Sequence, residues 1–334
     1  MQNLNVGLLG GGSWGTTVAS LMTRNVPVTL WARNPDTVKE INTQRSNETY
    51  LPGATLPDKL VATNDIAEAV RNADVVVMGI PSQNFRKVLE EVARHIRAWV
   101  PVISLTKGLE LDTRMRMTEI INEVLPGHPV GVLTGPNLAR EIMAGQAAAS
   151  VIAMEDEIIV KELQNVFKSG LFRVYTNTDV IGCELGGVLK NIIAIAVGMG
   201  DGQGAGDNTR SALITRGLAE VTRLGIAMGG RPETFAGLAG MGDMIATCTS
   251  PQSRNRHVGM ELGKGRSMQD IIDEMVMVAE GAKSAPAVMA LAEQYQVEMP
   301  IATDVYNVLT GQSDARRAFK GLLRVVAGAE SEPG

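Results

Sequence analysis

Residues 6–22 read VGLLGGGSWGTTVASLM. The apolar run from Val6 to Leu9 predicts a strand, and it ends in Gly10-Gly11-Gly12 followed by Ser13-Trp14-Gly15. Trp14, Val18, Leu21 and Met22 then recur at i, i+4, i+7 and i+8, the spacing of one helix face. Gly10, Gly12 and Gly15 therefore fill a GxGxxG fingerprint at a strand-to-helix turn. In such a turn the first glycine makes the bend and the second lets the backbone approach a pyrophosphate. The third lets helix and strand pack tightly, and the N–H groups at the helix start face the anion. A glycine turn that only packs a helix on a sheet is the plainer alternative; the flanking strand and helix favour a dinucleotide site.

Working outward, residues 28–32 (VTLWA) predict a second strand, closing a βαβ unit within about 30 residues. Arg33 follows it, where NAD-specific proteins usually carry an acid for the ribose hydroxyls and where an arginine accommodates a 2′-phosphate. A solvated loop cation is the alternative for Arg33. A turn at Asn34-Pro35-Asp36 leads into a helix near Thr37. Further strands are expected at 74–80, 102–106, 130–133, 148–154 and 171–175, with helices from 82 to 96 and at 113–125, 138–144 and 157–167. The 102–106 strand delivers Lys107 at its carboxyl end, where open parallel sheets bind ligands.

Strand–helix alternation stops near residue 180. Residues 183–199 are apolar nearly all round, the mark of a central buried helix. Helices follow at 209–224, 267–277, 285–295 and 302–309, and residues 237–248 (GLAGMGDMIATC) place three glycines ahead of Asp243 and a short helix. The expected organisation is a dinucleotide-binding domain, 1–180, a helical substrate domain, 181–327, and a small polar disordered tail, 328–334.

Composition narrows the function classes. The 334 residues suffice for two domains, and the net charge of −5 without a basic run argues against a nucleic-acid surface. No apolar run reaches 18 residues and no leader pattern opens the chain, so neither a membrane span nor a signal peptide is expected. Two distant cysteines, Cys183 and Cys248, suit a reducing cytoplasm, and His95, His128 and His257 form no metal-ligand spacing.

Lys190 is the most informative residue of the second half, set with Asn191 among Leu, Val, Ile, Ala and Gly. Desolvation favours a neutral amine, which suits a proton donor or acceptor near neutral pH. A stem lying along apolar surface with its head in water is the alternative. Ser253-Arg254-Asn255-Arg256 offers donors suited to a phosphate, against the alternative of a solvated loop. Asp243 either caps the next helix or orients a lysine ammonium. No Ser-His-Asp set, P-loop or carboxylate pair points to hydrolysis or phosphoryl transfer.

Together these segments resemble the bacterial NAD(P)-dependent glycerol-3-phosphate dehydrogenases over nearly the whole chain. The matching words are GGGSWGT (10–16), TKGLE (106–110), GPNLAREI (135–142), ELGGVLKNIIAIAVGM (184–199), RSALITRGLAE (210–220), GMGDMIATCT (240–249), QSRNRHVG (252–259) and VAEG (278–281). A bare GxGxxG fits dozens of families; ELGGVLKN with QSRNR is far narrower. The resemblance implies a Rossmann-type parallel-sheet domain followed by an all-helical domain like the C-terminal part of 6-phosphogluconate dehydrogenase. By position, Ser13, Trp14, Arg33, Lys107, Ala139, Arg254, Val278 and Glu280 match contacts to NADP or NAD. Lys107, Gly135, Asn137, Lys190, Asp243, Ser253, Arg254 and Asn255 match contacts to a phosphorylated three-carbon substrate, and Lys190 matches the proton acceptor. The first turn reads GGG where the family usually has a central Ala, a change expected to be harmless. Asn137-Leu138 replaces the usual Ser or Thr followed by Phe.

The implied reaction interconverts sn-glycerol 3-phosphate and dihydroxyacetone phosphate, supplying phospholipid synthesis, in a cytoplasmic homodimer. Lys190 protonates the alkoxide while Lys107 and Asn191 stabilise developing charge. A 6-phosphogluconate-type dehydrogenase is the runner-up, disfavoured by the words after residue 180. A non-catalytic dinucleotide sensor needs neither Lys190 nor Lys107.

Overall fold

The computed structural model describes residues 4–275 and 279–322. Val278, expected at the cofactor, and the 328–334 tail lie outside the described residues. The chain divides into two compact units: residues 1–107 with 115–180, and residues 108–114 with 181–334. Residues 108–114 thus join the second unit, with Leu109 in its apolar core.

The first unit is an eight-stranded sheet in the order β3-β2-β1-β4-β5-β6-β7-β8. Its strands are β1 (Val6–Leu9), β2 (Val28–Trp31), β3 (Val61–Thr63), β4 (Val75–Met78), β5 (Val102–Ser104), β6 (Val130–Thr134), β7 (Ala148–Met154) and β8 (Phe172–Asn177). Its helices are α1 (Ser13–Met22), α2 (Pro35–Gln44), α3 (Ile66–Val70), α4 (Ser82–Ala93), α5 (Met117–Val124), α6 (Ala139–Met143) and α7 (Glu157–Phe167). Strand residues alternate between two cores: Leu8, Val75 and Val77 face one, while Leu9, Val76 and Met78 face the other. Both faces of the sheet are therefore covered, which is why its central strands read as unbroken apolar runs. Strand order reverses between β1 and β4, the switch point at which doubly wound sheets bind ligands.

The sheet is not parallel throughout. β7 runs antiparallel to β6, and β8 is parallel to β7. The connections explain this. α6 has five residues and rises only about 7.5 Å, too little to carry the chain back along β6, so β7 returns directly. α7, with 11 residues, rises about 16 Å and makes the crossover that a parallel β8 requires.

The second unit comprises α8 (Val180–Gly202), α9 (Asp207–Ala227), α10 (Pro232–Phe235), a π-helical turn at Leu238–Gly242, α11 (Asp243–Thr249), α12 (Arg254–Gly263), α13 (Met268–Glu274), α14 (Glu280–Gln294), α15 (Pro300–Leu309) and α16 (Ala315–Leu322). α8 is long and apolar enough to cross a membrane by length and composition, but it is buried as this unit's core helix. A Cβ on Gly259 would stand 2.0 Å from the Ile195 carbonyl, so α12 packs backbone to backbone against α8. That contact brings the start of α12 to the stretch of α8 that carries Asn191.

Candidate active site

In the first unit the glycine turn has the shape that its residues predict. Gly10 takes φ +126°, a conformation that only glycine adopts easily, and a Cβ there would stand 2.3 Å from the Gly79 carbonyl. A Cβ on Gly15 would stand 2.0 Å from the Gly10 carbonyl, so the helix seats directly on the turn. Gly12, by contrast, has open space where its Cβ would be, and it precedes α1 without any side-chain cap. No side chain caps the first N–H groups of α1, and its first turn carries no acid to repel a phosphate. These residues fit a dinucleotide pyrophosphate. The central Gly11 has a local role: a Cβ there would lie 2.7 Å from the Cβ of Ala32, so in this chain the glycine admits Ala32.

Ser13 and Trp14 form the first turn of α1. The Trp14 indole lies edge-on to Phe172 at 6.3 Å and packs against the apolar core. The indole Nε1 of Trp14 is buried with no hydrogen-bond partner among the described residues. Arg33 is exposed just past β2, beside Asn34, whose side chain caps α2. Ala139 opens α6, which packs on α1.

Three polar side chains gather at the carboxyl ends of β5 and β6. Lys107 donates from Nζ to the Gly135 carbonyl at 2.9 Å. Asn137 accepts from the Ser150 hydroxyl at 2.8 Å, while its own Nδ2 is buried with no partner among the described residues. The Thr134 hydroxyl, at the end of β6, is likewise buried and has no partner among the described residues. Unpaired buried donors are costly, and a ligand oxygen would satisfy them. Asn137, the departure from the family pattern, thus keeps a donor where a Ser or Thr would also present one.

In the second unit, Lys190 lies in the buried middle of α8 and forms an ion pair with Asp243, Nζ to Oδ1, at 3.0 Å. It also donates to the hydroxyl of Thr247, which in turn donates to the Asp243 carbonyl at 2.7 Å. Lys190 therefore does not snorkel, and Asp243 binds the ammonium rather than capping α11, for which no side-chain cap exists. Thr247 stands one turn after Asp243 on the same helix face; the i, i+4 spacing was the available signal, and a threonine in an Ala-Thr-Cys-Thr run does not announce it.

Ser253-Arg254-Asn255-Arg256 is the beginning of α12 rather than a loop. Ser253 is its N-cap, accepting from the Arg256 N–H at 3.2 Å. Asn255 is buried, donates to Asn191 Oδ1 at 2.9 Å and accepts from the Gly281 N–H at 3.0 Å. Both ends of its amide thus serve to bind α12 to α8 and α14. Arg254 lies near Glu280 at the start of α14; desolvation lowers its pKa and the Glu280 charge opposes that shift. Cys248, beside Thr247, is a buried thiol that desolvation pushes up to about 12, so it stays protonated and takes no nucleophilic part.

Both parts of the chain match described families: residues 5–160 the N-terminus, and residues 179–320 the C-terminus, of NAD-dependent glycerol-3-phosphate dehydrogenase. The chain belongs to this family. A glycerol-3-phosphate dehydrogenase (NAD(P)+) of Sphingopyxis alaskensis is 70% identical over 100% of both chains. One from Mycobacterium avium is 52% identical over 99% of this chain and 97% of its own. Among solved structures, the glycerol-3-phosphate dehydrogenase of Coxiella burnetii superposes with a TM-score of 0.92 at 36% identity, covering 96% of this chain and 99% of its own. Within a glycerol-3-phosphate dehydrogenase framework, the first unit carries the dinucleotide turn and the second the buried lysine.

Proposed function

We propose that the chain interconverts sn-glycerol 3-phosphate and dihydroxyacetone phosphate, using NADP(H) or NAD(H), and so supplies glycerol phosphate for phospholipid synthesis. One observation carries the chemistry: a lysine ammonium held by Asp243 and Thr247 in the buried middle of a mostly apolar helix. A buried charge has to be repaid by close partners, and such pairs recur where an enzyme holds a proton donor.

The bound cofactor supplies or accepts the hydride at the carbonyl carbon. As the ketone oxygen gains negative charge, Lys190 Nζ donates a proton to it; in the oxidative direction Lys190 takes the proton from the alcohol. Asp243 and Thr247 fix Nζ in place and Asp243 balances its charge. Asn191, its carbonyl oxygen committed to Asn255, is held beside Lys190. The Arg254 guanidinium suits the substrate phosphate, whose remote binding energy aligns the carbonyl. In the first unit the uncapped start of α1 receives the pyrophosphate, Arg33 a 2′-phosphate, and the unpaired Asn137 amide with Lys107 a substrate or cofactor oxygen. A cytoplasmic homodimer is the assembly that the resemblance to the family supports.

The test is spectrophotometric. NADPH oxidation by the purified protein is expected on adding dihydroxyacetone phosphate and to be poor with dihydroxyacetone. Equal rates with both ketones would remove the phosphate argument.

A further inference from the structure

The first unit holds a cavity at the far end of α1 from the glycine turn. It has a volume of about 540 Å³, within the range of small-ligand sites, and lies among the end of α1, the end of α7 and the edge strand β8. Arg24, Lys168 and Arg173 line it, and no acid does. All three are exposed, and none forms an ion pair among the described residues. In a chain of net charge −5, three unneutralised cations around one cavity are a local reversal of sign.

The walls are fixed in advance. Asn25 Nδ2 donates to the carbonyls of Val166 at 3.0 Å and Lys168 at 2.6 Å, tying the loop after α1 to the end of α7. Gln164 Nε2 donates to the Val174 carbonyl at 2.7 Å, tying α7 to β8. Arg24 reaches across Gly170, its Nη1 only 3.0 Å from where a Cβ would stand. Ser169 is a further residue of the wall. It is 6% exposed, lines the cavity, and its hydroxyl has no hydrogen-bond partner among the described residues. A buried hydroxyl in that state lacks a partner that the surrounding chain does not supply.

Arg24 and Lys168 also follow the C-terminal ends of α1 and α7, where cations offset the helix dipole. That role explains two of the three charges but neither Arg173, on β8, nor the unpaired Ser169 hydroxyl.

We propose that this cavity is an anion site for a polyphosphate chain, separate from the dinucleotide turn and joined to it by the Phe172–Trp14 contact. Three cations match a ligand with more than one phosphoryl group, and each charge-assisted contact is stronger than a neutral one. Free polyphosphate and the triphosphate of a nucleotide share this chemistry; Tyr175, half-exposed at the rim, is the only aromatic face there on which a base can stack, since Phe172 is buried. Phe172 lines the cavity and meets Trp14, and this contact is the route by which an occupant would act on the first turn of α1. Linkage then makes the effect on cofactor affinity reciprocal.

The experiment is calorimetric titration of the full chain with inorganic tripolyphosphate and, separately, ATP, each with NADPH saturating so that the glycine turn is filled. The Arg24→Ser/Arg173→Ser variant is compared with wild type at matched ionic strength. One site per chain is expected, weakened at least about tenfold in the variant, the scale of losing a charge-assisted contact. Tighter binding of ATP than of tripolyphosphate identifies a nucleotide, and the reverse a free polyphosphate. NADPH affinity measured by fluorescence without polyphosphate is expected to be equal in the two proteins, and to shift on adding tripolyphosphate in wild type only. No binding, or equal binding by wild type and variant, overturns the site; binding that leaves NADPH affinity unmoved in wild type overturns the link to the turn.

Discussion

Lys190 Nζ and Asp243 Oδ1 are 3.0 Å apart on side chains that are 5% and 3% exposed. The pair joins the middle of α8 to the first turn of α11. Removing one partner of a buried pair leaves an uncompensated charge and typically costs about 3–5 kcal/mol, whereas replacing both by apolar groups is often neutral. Asp243→Asn is therefore expected to lower stability toward urea by an amount on that scale, and Lys190→Met/Asp243→Leu to recover most of it without recovering turnover. Recovery of turnover in the double variant would separate the pair from the chemistry.

Glu220 gives a pH dependence. Its buried carboxyl on α9 accepts from the N–H groups of Ile301 and Ala302 at the start of α15, at 2.7 and 3.2 Å. Burial pushes its pKa from 4.5 up to about 7, against those two bonds and the charges of Arg223 and Arg216. A raised acid pKa means that the fold favours the protonated form. Its contribution is fully present below about 4.5 and is lost as pH rises through about 7. The difference in thermal midpoint between wild type and Glu220→Gln should therefore change across this window, with wild type losing ground as pH rises. A pH-independent difference would show that Glu220 does not titrate there.

Asp201, at the end of α8, accepts from Arg256 at 2.7 Å and from Arg210 at 2.9 Å and is almost buried. It fixes the first turn of α12, the turn that presents Arg254. Asp201→Asn should raise the KM for dihydroxyacetone phosphate about tenfold, the scale of a charge-assisted hydrogen bond. An unchanged KM in a folded variant would show that Asp201 does not position Arg254 for substrate.

Arg33 leads to a cofactor prediction. It stands where an acid would bind the ribose hydroxyls of NAD and repel a 2′-phosphate. NADP(H) should be accepted at least as well as NAD(H), and Arg33→Ala should weaken NADPH more than NADH. Equal changes in both Michaelis constants would show that Arg33 does not read the 2′-phosphate.

What the sequence makes legible is what is local. The Gly10–Gly15 turn is readable because close approach requires glycine at those positions, and β1, β7 and α7 fall on the expected residues. β3 and α3, at three and five residues, are too short to show a period. The direction of β7 was hidden because it depends on the length of α6, not on the residues of β7. Helix 113–125 begins later, at Met117, since Arg114 is left-handed and Glu119 accepts from the Arg116 N–H to start the helix there. Around the candidate site, Lys190 was conspicuous as a charge among apolar neighbours. Thr247, Thr134 and the N-cap role of Ser253 were not, because hydroxyls occur everywhere and only the fold shows which are buried or already paired.

The central claim is that Lys190 is the proton donor to the reduced ketone. Its most direct test is the turnover of Lys190→Ala in dihydroxyacetone phosphate-dependent NADPH oxidation, with NADPH affinity measured in parallel by fluorescence. A fall of at least about 100-fold in kcat with NADPH affinity unchanged is expected, the scale of general acid–base catalysis. Near-normal turnover in a folded variant would contradict the claim and move the proton-transfer role to another residue, with Lys107 the first to test.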